Sequence, residues 1–456
     1  MVNLATQRQV AKCLDKRERI NNFDEVSLGF SEEEALIEAS RCLNCKNKPC
    51  VSGCPVGIDI PKFIMHIREH NYKAAYDTIA LSSLMPSICG RVCPQENQCE
   101  KYCVRGIKAK SVSIGNLERF VSNYPTPLGK VNYKNGKKIA IVGTGPASLS
   151  ASAYLIRKGY DVTMYEALHL AGGVLRYGIP EFRLPKQVLD TEIDKLKELG
   201  VKIITNVVIG KTITLEELYD NFDAIFLGTG AGLPRFMNIE GENLCGVYSA
   251  NEFLTRVNLM KAGSKDADTP VINHRHVVVV GAGNVAMDAA RVARRLQSKV
   301  TVVYRRSEEE IPARHEEYLH AKEEGIEFKL LSNPIRIIGE QGKVCGIECV
   351  QMKLGEVDAS GRRSPVTIEN SNFRIDCDGV IMAIGTSPNP LLFKGTTLIK
   401  ANKRGCIEVV NDNGKTSDDK IYAGGDIVTG SATVILACGA GKKSAIAIDK
   451  YLMGKK

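Results

Sequence analysis

The sequence predicts a multidomain protein in which a small N-terminal α-helical domain precedes two α/β Rossmann-like dinucleotide-binding domains, the second inserted in the first. Eight of the fifteen cysteines fall between Cys42 and Cys103. A buried strand, a glycine turn and a helix start follow one another at residues 137–148, and the same order recurs at residues 276–296. With 456 residues the chain is too long for one core, so two or three domains are expected.

Composition and charge disfavour several classes of function. Apolar residues make up 44% and charged residues 25% of the chain, as in ordinary globular proteins. No apolar run approaches the length of a membrane span, and the N-terminus has no apolar signal core, so we expect a cytoplasmic protein. The net charge of +9 is spread along the chain without a basic tail. That distribution is weak support for a nucleic-acid ligand and suits an acidic redox partner equally well.

Two cysteine arrays mark the N-terminal domain, which we place at residues 1–130. The first reads Cys42-x2-Cys45-x4-Cys50-x3-Cys54-Pro, and the second contains Cys89, Cys93-Pro, Cys99 and Cys103. In a reducing compartment such clustering indicates metal or redox chemistry rather than disulfides. Two structural zinc sites would also use eight thiolates, but the Cys-Pro endings and the spacing favour two [4Fe–4S] clusters.

Helices are predicted on both sides of the first array. Residues 32–39 have a helical pattern, for which Ser31 is a plausible N-cap. Residues 60–84, between the arrays, are helical in pattern with Pro61 at the helix start. Residues 125–129 are predicted to be a linker into the next domain because two prolines and a glycine fall there.

The first strand–turn–helix unit contains Gly143 and Gly145, which permit a sharp turn and close approach of a pyrophosphate. The following helix offers free N–H groups to the phosphates. Ser148 stands where the motif usually has a third glycine. The next strand, at residues 161–165, leads into Glu166, which is placed to bind the ribose hydroxyls of a dinucleotide.

The loop at residues 171–186 is expected to be irregular, because it contains three glycines and two prolines. Beside a dinucleotide site, this composition favours close backbone contact with the cofactor, and a plain surface loop is the alternative. A helix at residues 186–199 and strands at 201–205 and 223–229 continue the α/β alternation.

The second strand–turn–helix unit places Gly281 and Gly283 in the turn, with Ala286 as an allowed third residue. The next strand, at residues 300–304, ends in Arg305 and Arg306, where the first unit has an acid. Two guanidinium groups suit a 2′-phosphate, so the second site is predicted to prefer NADP(H).

The C-terminal segment is expected to return to the first dinucleotide domain. Residues 379–389 mirror the strand at 223–230 and should close the second domain. If the first site holds a flavin, Asp426 is placed to hold a ribityl hydroxyl, and the alternative is a turn or N-cap role. Backbone N–H groups near Thr433 would then face the flavin edge where negative charge develops. The predicted domains are residues 131–250 with 386–456, and residues 251–385.

Taken together, these motifs resemble the small subunit of NADPH-dependent glutamate synthase. The resemblance is carried by both cysteine arrays and by segments 143–147, 172–183, 304–306 and 423–426. A similar module occurs in the N-terminal half of dihydropyrimidine dehydrogenase and in the large subunit of NADH-dependent ferredoxin:NADP oxidoreductase. Residues 22–30 look closer to the latter. The resemblance implies a disulfide-reductase-like fold with FAD in the first site, NADPH in the second and two [4Fe–4S] clusters.

The resemblance also implies unequal ligation of the clusters. One would be held by Cys42, Cys45, Cys50 and Cys103, and the other by Cys54, Cys93, Cys99 and Glu118. Cys89 would then be free, although counting thiolates alone makes it the natural eighth ligand. The residues expected to bind the nucleotides are Gly143, Gly145, Pro146, Ala147, Ser148, Glu166, Gly173, Val174, Arg183, Val208, Gly281, Gly283, Asn284, Val285, Arg305, Arg306, Gly385, Gly425, Asp426 and Thr433.

The function implied is an electron relay from NADPH through FAD and the clusters to a partner, with no catalytic side chain. One hypothesis is that a large amidotransferase and FMN subunit completes a glutamate synthase. The alternative is the large subunit of a ferredoxin:NADP oxidoreductase, which works with a ferredoxin or flavoprotein partner and could bifurcate electrons. A non-catalytic electron-transfer subunit is a third reading, and the intact nucleotide motifs argue against it.

Overall fold

The computed structural model describes residues 3–127, 129, 131, 133–264, 267, 269–358 and 361–454. Leu128 and Lys130, in and beside the expected linker, lie outside these residues. Up to residue 124 the chain is largely helical and forms a hydrophobic core with the first nucleotide-binding unit. The helices are Lys16–Arg19, Glu32–Ser40, Pro49–Ser52, Ile60–Arg68, Tyr72–Ala80, Pro86–Val92 and Ile114–Val121, with 3₁₀ turns at Gln95–Asn97 and Val104–Ile107.

Capping residues explain where these helices begin and end. Ser31 caps the helix Glu32–Ser40 in a capping box with Glu34, which confirms the predicted N-cap. The helical pattern at residues 60–84 is divided, because His70 adopts a left-handed φ of 57°. Asn71 then caps the next helix by accepting a hydrogen bond from the Ala74 N–H at 3.2 Å.

The first nucleotide sheet has five parallel strands. In spatial order they are Ile421–Ala423, Ala224–Leu227, Lys138–Val142, Asp161–Tyr165 and Lys202–Ile204. Three longer helices pack against one another or against this sheet: Pro146–Arg157, Lys186–Glu198 and Val434–Met453. Shorter helices in this unit are Val174–Tyr177, Leu215–Asn221 and Asp426–Thr429. The central strands are buried on both faces, as expected for a parallel sheet covered by helices.

The second nucleotide sheet is also parallel and five-stranded. Its order is Glu327–Lys329, Lys299–Val303, His276–Val280, Gly379–Met382 and Val247–Ser249. Its helices are Ala250–Asn258, Asn284–Arg295 and His315–Glu323, and an antiparallel sheet adjoins it, formed by Ser332–Glu340, Lys343–Val357, Arg363–Thr367 and Phe373–Ile375. The sequence assigns residues 247–249 to the first unit, whereas here they pair with the second sheet. A strand of three residues is too short for its hydrophobic pattern to indicate which sheet it joins.

The two connections between the nucleotide sheets pair with each other. Leu233–Pro234 and Thr386–Ser387 form a short antiparallel ribbon. All strands of the second sheet lie in sequence between Ala224–Leu227 and Ile421–Ala423, which belong to the first. The chain therefore leaves one sheet and returns to it through this ribbon.

Residues 12–30, which we call the N-terminal arm, contact all three parts of the molecule. The Val26 N–H donates to the Phe182 carbonyl of the first nucleotide unit at 2.9 Å. Glu25 accepts from Arg91 of the helical region at 2.7 Å. Arg19 reaches the second nucleotide unit, as described below. None of the helices among the described residues combines the length and apolarity that crossing a bilayer requires.

Arg19 enters a buried ion-pair network in the second nucleotide unit. Its Nε forms an ion pair with Glu324 at 3.2 Å, and the Glu324 carboxylate accepts hydrogen bonds from Arg291 at 2.7 Å and Arg295 at 2.8 Å. Both Arg291 and Arg295 stack on the Phe182 ring, at 4.6 and 3.8 Å from its centroid. Burial would raise the pKa of Glu324, but the guanidinium groups of Arg291 and Arg295 prevail and lower it to about 2. The network thus joins the arm to both nucleotide units.

Candidate functional site: two nucleotide turns and two cysteine sets

The first glycine turn has the geometry expected of a pyrophosphate cradle. Gly143 has a φ of 91°, and a Cβ there would lie 2.7 Å from the Gly228 carbonyl oxygen. Gly145 is the N-cap of the helix Pro146–Arg157 and has no neighbour that a Cβ would meet. The twelve-residue helix therefore directs its unpaired N–H groups and partial positive charge into open space at the turn.

Glu166 fixes this turn. Its carboxylate accepts hydrogen bonds from the Thr144 N–H at 3.1 Å, from the Thr144 hydroxyl and from the Leu168 N–H at 3.0 Å. The Thr144 hydroxyl oxygen in turn accepts from the Gly172 N–H at 2.9 Å. Glu166 also lines the cavity described below. It therefore connects the turn to the glycine-rich loop through Thr144 while it lines the cavity.

The glycine-rich loop packs directly on the turn. Gly173 has a φ of 53°, and a Cβ on it would lie 2.8 Å from Cα of Gly145. The loop is not wholly irregular, because a single helical turn forms at Val174–Tyr177. The structure favours close approach of the backbone to the nucleotide turn over a plain surface loop.

Arg183 connects the two nucleotide units. Its Nη1 donates to Asp288 at 2.7 Å, and its Nε lies 3.3 Å from Glu317; both acids belong to helices of the second unit. Burial disfavours the charged guanidinium, but the two carboxylates prevail and raise the pKa of Arg183 above its ordinary value. Arg183 lines the cavity while its charge is held by these acids.

The second glycine turn repeats the first. Gly281 has a φ of 117°, and a Cβ there would overlap the Ala383 carbonyl oxygen. Gly283 is the extended N-cap of the helix Asn284–Arg295. The Asn284 side chain accepts from the Arg314 N–H at 2.9 Å, so it anchors a neighbouring loop.

The two arginines after the second unit have different roles. Arg305 is exposed, and its side chain has no hydrogen bond or ion pair within the described part of the chain. Arg306 is 4% exposed; its Nη2 donates to Asp358 at 2.6 Å and its Nε to the Arg363 carbonyl at 2.7 Å. Both line the cavity. Arg305 is therefore the guanidinium that is available to a phosphate, and Arg306 orders the adjoining hairpin.

The C-terminal helix presents its N-terminus beside Asp426. Burial raises the pKa of Asp426 to about 6, and its carboxylate accepts from the Ala432 N–H at 3.2 Å. Thr433 caps the twenty-residue helix Val434–Met453 by accepting from the Leu436 N–H at 3.3 Å. Gln98 of the helical region donates to the Thr433 hydroxyl at 3.5 Å. This end of the cavity thus adjoins the second cysteine array.

Both glycine turns open into one continuous cavity of about 1450 Å³. Sites for a single ligand usually measure roughly 300–1,000 Å³, so this volume suits two ligands side by side. Val92 and Pro94 of the helical region also line it. The predicted residues that line it are Gly143, Gly145, Pro146, Ala147, Glu166, Gly173, Val174, Arg183, Val208, Gly281, Gly283, Asn284, Val285, Arg305, Arg306, Gly385, Asp426 and Thr433.

Ser148 and Gly425 are the two predicted contacts outside that lining. Ser148 is fully buried and donates to the Gly228 carbonyl at 3.4 Å, so it holds the helix to the neighbouring strand. A Cβ on Gly425 would lie 3.0 Å from the Ala147 Cβ, which indicates helix packing. Sequence reasoning missed Thr144, Asp288 and Gln98. Of these three, only Thr144 could have been found from the sequence, because it lies inside the first glycine motif.

The first cysteine cage, formed by Cys42, Cys45, Cys50 and Cys103, is enclosed by apolar side chains. Ile60, Ile64, Val112 and Ile114 are among those that line the small hollow between the sulfurs. Burial, followed by charge on Cys42 and Cys103, raises the pKa of Cys50 to about 12. Four thiols around one apolar hollow fit an iron-containing group, which would stabilise the thiolates.

The second set comprises Cys54, Cys93, Cys99 and Glu118. Glu118 is 7% exposed, and its Oε1 has no hydrogen-bond partner. Burial raises the pKa of Glu118 well above its ordinary value. Charge on Glu118 contributes to the raised pKa of each of these three cysteines, which places the four groups together. An orphaned buried carboxylate beside three thiols fits a ligand of an iron–sulfur cluster.

Cys89 lies next to this set with other partners. Hydrogen bonds with Cys438 and Cys93 lower the pKa of the fully buried Cys89 thiol. Cys438 belongs to the C-terminal helix of the first nucleotide unit. Cys89 therefore connects the helical region to that unit, in keeping with the free role implied for it.

Comparisons with known proteins agree with this arrangement. Residues 19–128 match the family model described as dihydropyrimidine dehydrogenase domain II, 4Fe-4S cluster, and residues 137–441 match that of pyridine nucleotide-disulphide oxidoreductases. The chain is 35% identical to the Glutamate synthase [NADPH] small chain of Escherichia coli K12, covering 94% of each protein.

Other relatives are longer. The chain is 37% identical to the NADP(+)-dependent formate dehydrogenase subunit beta of Moorella thermoacetica; the match covers 89% of this chain and spans only 60% of that relative. Among solved structures, Mycobacterium tuberculosis FprA in complex with NADPH has a TM-score of 0.59 at 21% identity, covering 70% of this chain and 85% of that one. This likeness shows a shared fold of the two nucleotide units.

Proposed function

Because the chain belongs to the pyridine nucleotide-disulphide oxidoreductase family, in the group of the glutamate synthase small chains, we propose that it carries electrons from NADPH to a partner protein. It is an NADPH-dependent FAD and iron–sulfur oxidoreductase. When bound, FAD would supply the chemistry that converts the electron pair of NADPH into single electrons for the clusters. The chain's own residues place these groups and set their electrostatics.

The observation that carries the proposal is the single cavity shared by both glycine turns and the helical region. FAD would occupy the Gly143 turn, and NADPH the Gly281 turn beside Arg305. Val92 and Pro94, next to Cys93, lie on the wall of the same cavity. Gln98, next to Cys99, contacts Thr433 at the flavin end. Electrons would therefore have a short route from the flavin to the second cysteine set.

The ligand sets are a separate part of the proposal. Cys42, Cys45, Cys50 and Cys103 would hold one [4Fe–4S] cluster; Cys54, Cys93, Cys99 and Glu118 would hold the other. The unpartnered Oε1 of Glu118 supports this choice. Glu118→Ala should alter the EPR signal of one cluster and leave the other, whereas Cys89→Ser should leave both unchanged. The reverse result would make Cys89 the eighth ligand.

We also propose that the second nucleotide domain is inserted in the first. The first would comprise residues 131–250 and 386–456, the second residues 251–385, and the helical domain residues 1–130. The sheet order supports the insertion. Ile421–Ala423 pairs directly with Ala224–Leu227, although all strands of the second sheet lie between them in sequence. The pairing of Val247–Ser249 supports moving the first boundary to about residue 246.

The partner we favour is a glutamate synthase large subunit, which would make glutamate from glutamine and 2-oxoglutarate. The match to glutamate synthase small chains over 94% of their length supports it. A second candidate is a subunit of another NADP-linked complex, such as a ferredoxin:NADP oxidoreductase. The 37% identity to a formate dehydrogenase beta subunit favours this candidate. In both cases we expect a hetero-oligomer in the cytoplasm.

Anaerobic purification tests the proposed function. The holoprotein should contain one FAD and about eight iron atoms per chain if two [4Fe–4S] clusters are present. NADPH should bleach its visible spectrum, and NADH should do so far more slowly. Zinc in place of iron, or a flavin that NADPH never bleaches, would refute the relay. If the relay is supported, mass spectrometry of co-purifying chains would distinguish a glutamate synthase large subunit from a subunit of another NADP-linked complex.

A further inference from the structure

Between the first cysteine cage and solvent lies a patch of apolar and basic side chains, here called the exit patch. Its apolar members are Leu43, Tyr102, Val104 and Ile107, which are 37%, 52%, 37% and 77% exposed. Its basic members are the exposed Lys46, Lys101, Lys108 and Lys110. Single exposed apolar residues are ordinary, but Leu43 and Val104 line the same hollow, and Tyr102 and Ile107 lie within three residues of Val104 in sequence. Exposed apolar residues placed in this way mark a surface for interaction.

The exit patch is in direct contact with the cage. Leu43 and Val104 line the hollow between the sulfurs, and both also reach the surface. Each is adjacent in sequence to a cage cysteine, Cys42 or Cys103. A cluster in this cage would therefore be separated from solvent by a single layer of side chains. The second cysteine set, by contrast, adjoins the nucleotide cavity.

The charge of the exit patch is one-sided. Segments 42–54 and 99–110 contain six basic residues and a single acid, Glu100. Glu100 is 7% exposed, and Arg8 neutralises it with an ion pair of 2.7 Å. Lys48 is paired with Asp59 at 2.8 Å, so it contributes little net charge. The exposed lysines thus create a positive potential around the apolar centre.

We infer that the exit patch is the docking surface for an acidic protein that accepts one electron at a time. An apolar centre with a charged rim is the usual composition of a transient interface, and opposite charge accelerates encounter. The inference rests on the proposed function, because the electrons must come from NADPH. One NADPH supplies two electrons and yields NADP⁺ and a proton, so two molecules of a one-electron acceptor are reduced in each turnover.

The test uses one haem protein in two charge states. Cytochrome c is basic, and succinylation of its lysines makes it acidic without changing the haem. The reconstituted holoprotein, kept anaerobic, should reduce the succinylated form faster at low ionic strength. Adding salt should remove most of that preference, because the Debye length falls to about 3 Å at 1 M salt.

Charge reversal at Lys101 and Lys108 should lower kcat/KM for succinylated cytochrome c by at least about tenfold at low salt. The same variant should reduce unmodified cytochrome c faster. A matched control reverses Lys202 and Lys211, which are exposed on the first nucleotide unit, and should behave as the unaltered protein. Ile107→Ser should weaken binding of the succinylated form in surface plasmon resonance at every salt concentration.

Menadione, a small uncharged quinone, separates failure of this inference from failure of the proposed function. If NADPH does not support menadione reduction by the unaltered holoprotein, the relay itself is wrong. If menadione is reduced but the Lys101 and Lys108 reversal changes neither cytochrome rate nor binding, the docking surface lies elsewhere. Equal effects of the Lys202 and Lys211 control would also overturn the inference, since net charge alone would then explain them.

Discussion

Glu324 offers a quantitative test of the network that joins the N-terminal arm to the nucleotide units. The substitution Glu324→Gln keeps the side-chain volume but removes the charge shared by Arg19, Arg291 and Arg295. Glu324 is 2% exposed, so water cannot replace the lost partner. Removing one member of a buried ion pair typically costs about 3–5 kcal/mol, because it leaves uncompensated buried charge.

The pKa of Glu324 gives an independent magnitude. Despite burial, Arg291 and Arg295 lower this pKa from 4.5 to about 2. A shift of roughly 2.5 units corresponds to about 3.5 kcal/mol, at about 1.4 kcal/mol per unit. A carboxyl whose pKa is lower in the folded state stabilises the protein above its unfolded pKa. This contribution should be complete above about pH 4.5 and disappear as the pH falls towards 2.

Urea unfolding followed by circular dichroism measures the effect at pH 7. Glu324→Gln should lower the midpoint by roughly 1 M, for a urea dependence of about 3 kcal/mol per M. Glu323→Gln is the matched control, because the neighbouring carboxylate also contacts Arg19 but its side chain is 53% exposed. An exposed pair contributes only about 0–1 kcal/mol. If both variants shift the midpoint equally, the buried network does not provide this stability.

Three further outcomes are expected. Arg305→Ala should raise the KM for NADPH roughly tenfold with little change in kcat, because only binding energy is lost, and an unchanged KM would show that the 2′-phosphate binds elsewhere. Gly441→Ala should prevent stable folding, since its Cβ would overlap the Ala147 carbonyl, whereas Gly129→Ala, with no such neighbour, should leave Tm unaltered. The apoprotein should lose stability as the pH rises through about 6, because burial raises the pKa of Asp426; Asp426→Asn should flatten that part of the Tm–pH curve.

Local signals predicted the nucleotide-binding elements well. The strand His276–Val280 begins the unit predicted at residues 276–296, and Gly143 and Gly281 adopt the positive φ that the motif requires. The periodicity of a buried parallel strand and the absence of a side chain at a turn are properties of adjacent residues. The cysteine spacing predicted two metal-binding arrays, whereas the division into ligand sets came from the resemblance; in the structure Cys42, Cys45, Cys50 and Cys103 line one hollow.

Contacts between distant residues were not predictable in the same way. Arg306 was expected to bind a phosphate. Its guanidinium group instead donates a hydrogen bond to Asp358, which lies 52 residues further along the chain. The helix predicted over residues 60–84 is divided because His70 adopts a left-handed conformation, which no periodic pattern encodes. Val247–Ser249 joins the second sheet because Gly379–Met382 provides a free edge there. Each outcome depends on which partner comes close in space.

The N-terminal arm has a mechanical consequence for the nucleotide units. In the part of the chain that the structure describes, the two-stranded ribbon of Leu233–Pro234 and Thr386–Ser387 carries the chain between them, and so short a ribbon would serve as a natural pivot. Rotation about that pivot would have to break the Val26–Phe182 and Arg19–Glu324 contacts of the arm as well as the direct Arg183–Asp288 ion pair. A segment outside both units therefore helps to fix the angle between them.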